Sequence, residues 1–173
     1  MTFSATKIQP FSCWLLPPDD QPTSDAVHLI RHDGSAGPSR REAYPQPYQL
    51  LMLVVAGTVV QTVDEQVCLL QAGELCYVRP GQVQGWTMDE NTRAYLLFVR
   101  PTPGHQPADP TACRWSLPPT DFRLGLLDRL FGQLHAVCHA SGANRPERVT
   151  GRLRPLLGCL DRLLADTARY QPD

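Results

Sequence analysis

Three short apolar runs, residues 75–78, 85–88 and 95–99, are separated by Arg79-Pro80-Gly81 and by Asp89-Glu90-Asn91. Pro-Gly and Asp/Asn clusters punctuate strands, so this stretch predicts an antiparallel meander. Upstream, residues 27–32 alternate weakly and read as a first strand, ended by Asp33-Gly34 and a loop over 35–41. Residues 48–56 are almost unbroken in apolar character. Val54 and Val55, followed by Thr58, Val59, Val60, Thr62 and Val63, favour strand over helix, because β-branched side chains suit a pleated surface. Gly57 marks a tight bend or bulge between two strands, Asp64-Glu65 the next turn, and residues 67–71 the strand after it. Seven or eight strands between residues 27 and 100 are enough to close a small barrel around a ligand-sized interior.

The periodicity then changes. Residues 101–119 hold six prolines and almost no apolar pattern, which reads as a linker. From Thr120 onward, Phe122, Leu126, Leu127, Leu130, Phe131, Leu134, Val137 and Cys138 recur at helical spacing, with Thr120 or Asp121 as N-cap and Gly142 as a stop. A second helix begins near 144–147, with Pro146 tolerated in its first turn, and places Val149, Leu153, Leu156, Leu157, Leu160, Leu163 and Leu164 on one face. Pro155 lies inside it and predicts a kink. The short connection makes the two helices antiparallel neighbours. Residues 1–26 carry one compact apolar patch, Phe11, Cys13, Trp14, Leu15 and Leu16, too small for a core of its own, so this arm either frays or lies against the barrel. The expected organisation is an arm (1–26), a barrel (27–100), a Pro-rich linker (101–119) and a helical pair (120–173).

Composition narrows the function classes. The 173 residues are 42% hydrophobic and 19% charged, which supports one packed domain, and 17 Pro with 12 Gly suit short strands joined by turns. Net charge is −1, and the fifteen Arg and one Lys are dispersed, so this chain lacks the basic stripe that neutralises nucleic-acid phosphates. The run Phe11 to Leu16 is too short for a signal-peptide core and nothing approaches a spanning helix, which predicts a cytoplasmic protein without membrane contact. The six cysteines are far apart with no C-x-x-C pair, which suggests neither a disulfide framework nor a zinc knuckle. His135 and His139 are four apart on the first helix, a spacing able to bind zinc, but no further donor accompanies them. No phosphate loop, nucleophile elbow or dinucleotide fingerprint is present.

The wording Leu-Gln-Ala-Gly-Glu (70–74), Pro-Gly-Gln-Val-x-x-Trp (80–86) and a strand ending in Leu-Leu-Phe (96–98) resembles the N-terminal effector-binding and dimerisation domain of AraC-type transcriptional regulators, and more broadly cupin barrels. The resemblance covers about residues 25 to 170 and is specific over 73–98. It implies a mainly β fold: a cupin-like double-stranded β-helix, or jelly roll, followed by two antiparallel α-helices. It also implies an effector in the barrel, an N-terminal arm that responds to occupancy, and a homodimer through the C-terminal helices, with Leu153, Leu156, Leu157, Leu160 and Leu164 as its contacts. DNA would be reached only through a helix-turn-helix domain missing from this chain, which stops at Tyr170-Gln-Pro-Asp, where that domain is expected to begin. The expectation is an isolated effector domain, with a stand-alone sensor as the alternative.

Metal-dependent cupins carry histidines and a glutamate at positions that here hold Tyr44-Pro45-Gln46, Leu50 and Gln84, with Arg79 in place of the proline of the second motif. Amide and apolar side chains cannot hold a transition metal, so no metal or other cofactor is expected. Gln84 instead offers a donor and an acceptor to a ligand hydroxyl. Alternation puts Tyr48, Leu50 and Met52 on one face of their strand, Leu75, Tyr77 and Arg79 on one face of theirs, and Tyr95 with Leu97 on one face of theirs. The candidate ligand-binding set is Trp14, Tyr48, Met52, Tyr77, Arg79, Gln84, Trp86 and Tyr95, a mixture of aromatic walls and directed polar groups suited to a small molecule such as a sugar. The same residues suit a core equally well, because alternation does not say which face is inward. The expected role is non-enzymatic sensing. Its rivals are a small metal-independent cupin enzyme of isomerase or epimerase type and a scaffold with a filled barrel.

Overall fold

The computed structural model describes residues 26–45, 47–101, 114–118 and 120–169, with side chains described as far as residue 163. Among the described residues there are nine strands: β1 (Val27–His32), β2 (Ser39–Pro45), β3 (Gln49–Ala56), β4 (Thr58–Val63), β5 (Gln66–Gln71), β6 (Glu74–Val78), β7 (Val83–Met88), β8 (Arg93–Val99) and β9 (Arg114–Ser116). Two helices follow, α1 (Phe122–Cys138) and α2 (Arg145–Arg169). One sheet has the order β1-β8-β3-β6-β9 and the other β2-β7-β4-β5, every pairing antiparallel. Among the first eight strands the pairs 1–8, 2–7, 3–6 and 4–5 describe a long hairpin folded over on itself, which is the jelly roll.

This topology overturns the expected meander. The strands β6, β7 and β8 are correctly placed in sequence, but none hydrogen-bonds to the next: β6 and β8 flank β3 in one sheet, while β7 lies between β2 and β4 in the other. The links 79–82 and 89–92 carry the chain across the roughly 10 Å between packed sheets instead of turning it back beside itself. The central hairpin is local. Asp64 and Glu65, at φ 46° and 68°, form the two-residue turn joining β4 to β5, in the left-handed pair of conformations that matches strand twist. The Asp64 carboxylate accepts from the Gln82 side chain at 2.7 Å and from the Val83 N–H at 3.0 Å, tying the hairpin to β7.

The expected loop over 35–41 is also corrected, since β2 starts at Ser39. Its sequence, Ser-Arg-Arg-Glu-Ala-Tyr-Pro, has no apolar alternation because β2 is an edge strand, where charge and proline discourage further pairing. A register shift between Arg41 and Tyr44 bulges it against β7. Gly85 permits that bulge: a Cβ there would lie 2.7 Å from the Arg41 carbonyl oxygen and 2.8 Å from the Ala43 nitrogen. The ninth strand comes from the Pro-rich stretch and pairs with β6, held by Arg114, whose guanidinium donates to both oxygens of Glu74.

Two apolar layers share the five-stranded sheet. Leu50, Met52, Val54, Cys76, Val78, Leu96 and Phe98 face inward to meet Val59, Leu70, Trp86 and Met88 of the other sheet. Leu51, Leu53, Leu75, Tyr77, Tyr95 and Leu97 face outward and are covered by the helices. Burial on both faces explains why residues 50–54 and 94–99 read as continuous apolar runs.

The Asp121 carboxylate caps α1, accepting from the Arg123 N–H at 2.9 Å. Leu124, Leu127, Phe131 and Leu134 pack on the sheet, whereas Phe122 is 81% exposed and Leu126 40% exposed. The expected face of α1 is therefore rotated at its start, with Leu124 in the place given to Phe122 and Leu126. Helix α2 continues through Pro155 and buries Val149, Leu153, Leu156, Leu157, Leu160 and Leu163. Arg145 donates to the Cys138 carbonyl and Arg152 to the Gln133 side chain, so the helices run antiparallel. Neither helix is long and apolar enough to cross a membrane.

Candidate ligand pocket

Among the described residues, the two edge strands β1 and β2 leave one side of the sandwich open. A cavity of about 280 Å³ sits in this opening, lined by His28 and Ile30 of β1, Arg41 and Tyr44 of β2, Pro47 and Tyr48 ahead of β3, and Phe98 of β8. Strand parity builds it. Leu29 belongs to the layer under the helices, so its neighbours His28 and Ile30 point to the opposite side, as Phe98 does. Tyr48 shares parity with the inward Leu50 and Met52 and packs against the inner layer.

The wall is aromatic and basic. The Arg41 Cζ stands 4.3 Å from the Tyr44 ring centroid and 5.2 Å from that of Trp86, within cation–π range of both. Trp86 in turn lies 6.3 Å from Phe98, centroid to centroid. Arg100 is 5.9 Å from the Tyr48 ring. Burial pulls the Arg41 guanidinium below its ordinary pKa, and among the described residues no carboxylate pairs with it. Among the described residues no aspartate or glutamate lines the cavity.

Behind this wall lies a second feature. Gln61 of β4 and Gln84 of β7 are both fully buried, and neither the oxygen nor the nitrogen of either carboxamide has a hydrogen-bond partner among the described residues. Gln61 is in register with Trp86 and Gln84 with Val63, so the two glutamines are diagonal neighbours on the inward face of adjacent strands. Gln84 is also in register with Tyr44, and Trp86 with Arg41, which links the amides to the cavity wall through the β2–β7 ladder. Buried polar groups are nearly always paired, so four orphaned amide atoms side by side mark a place built to receive hydrogen bonds.

The sequence-derived candidates divide accordingly. Tyr48 lines the cavity, Trp86 stands beneath it, and Gln84 and Met52 face the interior. Tyr77 and Tyr95 fall on the other face, and their assignment to the ligand is corrected. The Tyr77 hydroxyl donates to Gln49 at 3.2 Å, and Tyr95 stacks on Phe131 while donating to the Asp128 carboxylate at 2.9 Å. Burial, then this bond, pushes the Tyr95 phenol up to about 12. Arg79 follows β6 at a turn, its N–H donating to the Gln82 side chain. Trp14 lies outside the described residues, and so does the Leu164 side chain. The other proposed dimer contacts, Leu153, Leu156, Leu157 and Leu160, are at most 1% exposed within the single chain, covered by its own sheet and α1. Sequence reasoning did not find His28, Ile30, Arg41, Pro47, Phe98 or Gln61. Only Gln61 had a local signal, since it shares parity with the inward Val59.

Strand order and inward parity decide the architecture. The chain is a cupin-like jelly roll. No protein-family model matches the sequence, and no curated protein matches it. Solved structures similar to it include an RmlC-like cupin from Shewanella frigidimarina (16% identity over 46% of this chain and 69% of that one, TM-score 0.36). Another is a cupin superfamily protein from Desulfitobacterium hafniense (18% identity, 45% and 70%, TM-score 0.37). A third is a variant of oxalate decarboxylase from Bacillus subtilis (18% identity, 43% and 20%, TM-score 0.35), of which the match spans about a fifth.

The positions where metal-dependent cupins carry donors hold Tyr44, Leu50 and Gln84, with Gln84 beside another amide. Among the described residues no group of three or more His, Cys, Asp or Glu side chains could hold a metal ion. This donor set does not fit a transition metal.

Proposed function

We propose that this chain is a ligand-sensing domain: it binds a small molecule in the jelly roll, enters no chemistry with it, and serves as the effector domain of an AraC-type transcriptional regulator. The observation that carries the reading is the aromatic and basic cavity of about 280 Å³, walled by Arg41, Tyr44, Tyr48 and Phe98, with the buried Gln61–Gln84 amides behind it, joined to that wall through the β2–β7 ladder. An unpaired buried polar group costs about 1–3 kcal/mol, a penalty that a bound polyol, acid or amide would remove only by reaching past the cavity wall to these amides. Among the described residues the cavity lining supplies aromatic surface, a guanidinium and an imidazole, but no carboxylate to serve as a general base. The wording of residues 70–98 supports the regulator assignment. Because the α2 leucines are already covered within the chain, the proposal does not rest on dimerisation through them.

The test is a thermal-shift screen against sugars, sugar acids and small aromatic acids, with and without chelator. A ligand at a hundredfold excess over its Kd stabilises by about 2.7 kcal/mol, which for a domain of this size raises Tm by roughly 5–11 °C. The expected result is a saturable shift, indifferent to chelator, with the compound recovered unchanged. Conversion of the compound, or loss of the shift with chelator, would replace the sensor with an enzyme. Silence across the screen would leave a filled barrel. The regulator assignment is checked separately by reading the gene past codon 173, where a helix-turn-helix pattern is expected.

A further inference from the structure

We infer that the ligand is a small ring carboxylate, of benzoate or uronic-acid size, whose carboxylate is read by Arg41. This rests on the ligand-sensing reading above and narrows it from small molecules in general to one chemical class.

Arg41 faces two aromatic rings, Tyr44 and Trp86, in cation–π contact. Such contacts fix a guanidinium without using its N–H donors, and a planar fork held this way matches a carboxylate through two parallel hydrogen bonds. Among the described residues Arg41 donates no hydrogen bond and forms no ion pair, although it is partly withdrawn from solvent. The lining holds a second nitrogen base, His28, and among the described residues no carboxylate lines the cavity beside Arg41. A cation partly desolvated between aromatic rings, with no counter-charge among the described residues, favours an anion, because the Coulomb attraction is less screened there than in bulk water. The remaining walls, Tyr44, Tyr48 and Phe98, offer flat apolar surface to a ring. A space of about 280 Å³ corresponds to the volume of about nine water molecules, the size of a single ring with its substituents.

The experiment uses two matched pairs: 4-hydroxybenzoate against 4-hydroxybenzamide, and galacturonate against galactose, each titrated calorimetrically into wild-type protein and into Arg41→Gln and Arg41→Lys. At least one acid is expected to bind about tenfold or more tightly than its neutral counterpart. Arg41→Gln should erase that preference, Arg41→Lys should keep part of it, and affinity for the acid should weaken as salt rises. The two pairs distinguish an aromatic from a carbohydrate acid. A neutral compound binding as tightly as its acid would overturn the inference and leave the sensor reading standing. Unchanged acid affinity in Arg41→Gln would overturn it too, by placing the anion elsewhere. If none of the four compounds binds, the inference falls, and the broader screen decides the sensor reading. Should Arg41→Gln fail to fold, Arg41→Lys carries the comparison, with loss of at least half the preference in log units as the required result.

Discussion

Replacing Gln84 by Met separates a binding role from a structural one, because the two predict opposite changes in stability. Gln84 is fully buried and both of its amide atoms lack a partner. Methionine is unbranched and of similar length, so Gln84→Met keeps the side-chain volume at this fully buried position while removing the polar atoms. Desolvating an unsatisfied polar group costs about 1–3 kcal/mol, so the ligand-free variant should be more stable by about that amount. At 2–4 °C per kcal/mol for a domain of this size, Tm should rise by roughly 2–12 °C. The same variant should lose most of the ligand-induced shift. Gln61→Met should behave alike, and because the two side chains are diagonal neighbours the double variant should depart from additivity by about 0.5 kcal/mol or more. Urea denaturation with a constant slope, followed by tryptophan fluorescence, gives the stabilities. Destabilisation of the ligand-free protein by 1 kcal/mol or more would refute the reasoning, since it would mean that the amides are satisfied in the folded chain and serve the fold.

Three further outcomes follow from the same packing. The Tyr95 phenol is neutral in the folded protein up to about 12, against an ordinary value near 10. A raised folded-state pKa contributes stability that is present below pH 10 and lost as pH rises through about 12, so Tyr95→Phe should flatten the alkaline limb of the stability profile, measured by denaturation between pH 9 and 12. Leu124→Ala should cost about 2–5 kcal/mol because Leu124 is buried between α1 and the sheet, whereas Phe122→Ser should stay within about 0.5 kcal/mol because that ring is 81% exposed. Gly85→Ala places a Cβ against backbone atoms of Arg41 and Ala43, which cannot swing aside as a side chain can. It should destabilise by about 1–3 kcal/mol and shift β2 at the cavity, weakening ligand affinity with it.

Much of the chain's local structure was legible without coordinates. The runs at 27–32, 48–56, 58–63 and 67–71 became strands close to those bounds, because β-branched residues and turn chemistry act over a few neighbours. Asp121 is the cap of α1, and six of the seven leucine and valine positions named for α2 are buried, the seventh lying outside the described side chains. Missing were elements whose stability is borrowed from elsewhere: β2, a charged edge strand held by β7, and β9, a three-residue strand held by β6 and Glu74.

The amino-acid order by itself determined most of the strands between residues 27 and 99, two helices within 122–169, and the replacement of the usual cupin metal donors by Tyr44, Leu50 and Gln84. It could not say which face of each strand is inward, because the five-stranded sheet is apolar on both sides and parity inside such a run carries no direction. Tertiary structure made that decision by laying the helices on one face only. Tyr77 and Tyr95 thereby became part of the helix-facing layer, while Gln61, Gln84 and Trp86 turned to the interior. The folded-over hairpin then brought β1 and β2 to the same open side, so that His28, Arg41, Tyr48 and Phe98, up to 70 residues apart in sequence, became neighbours around one cavity.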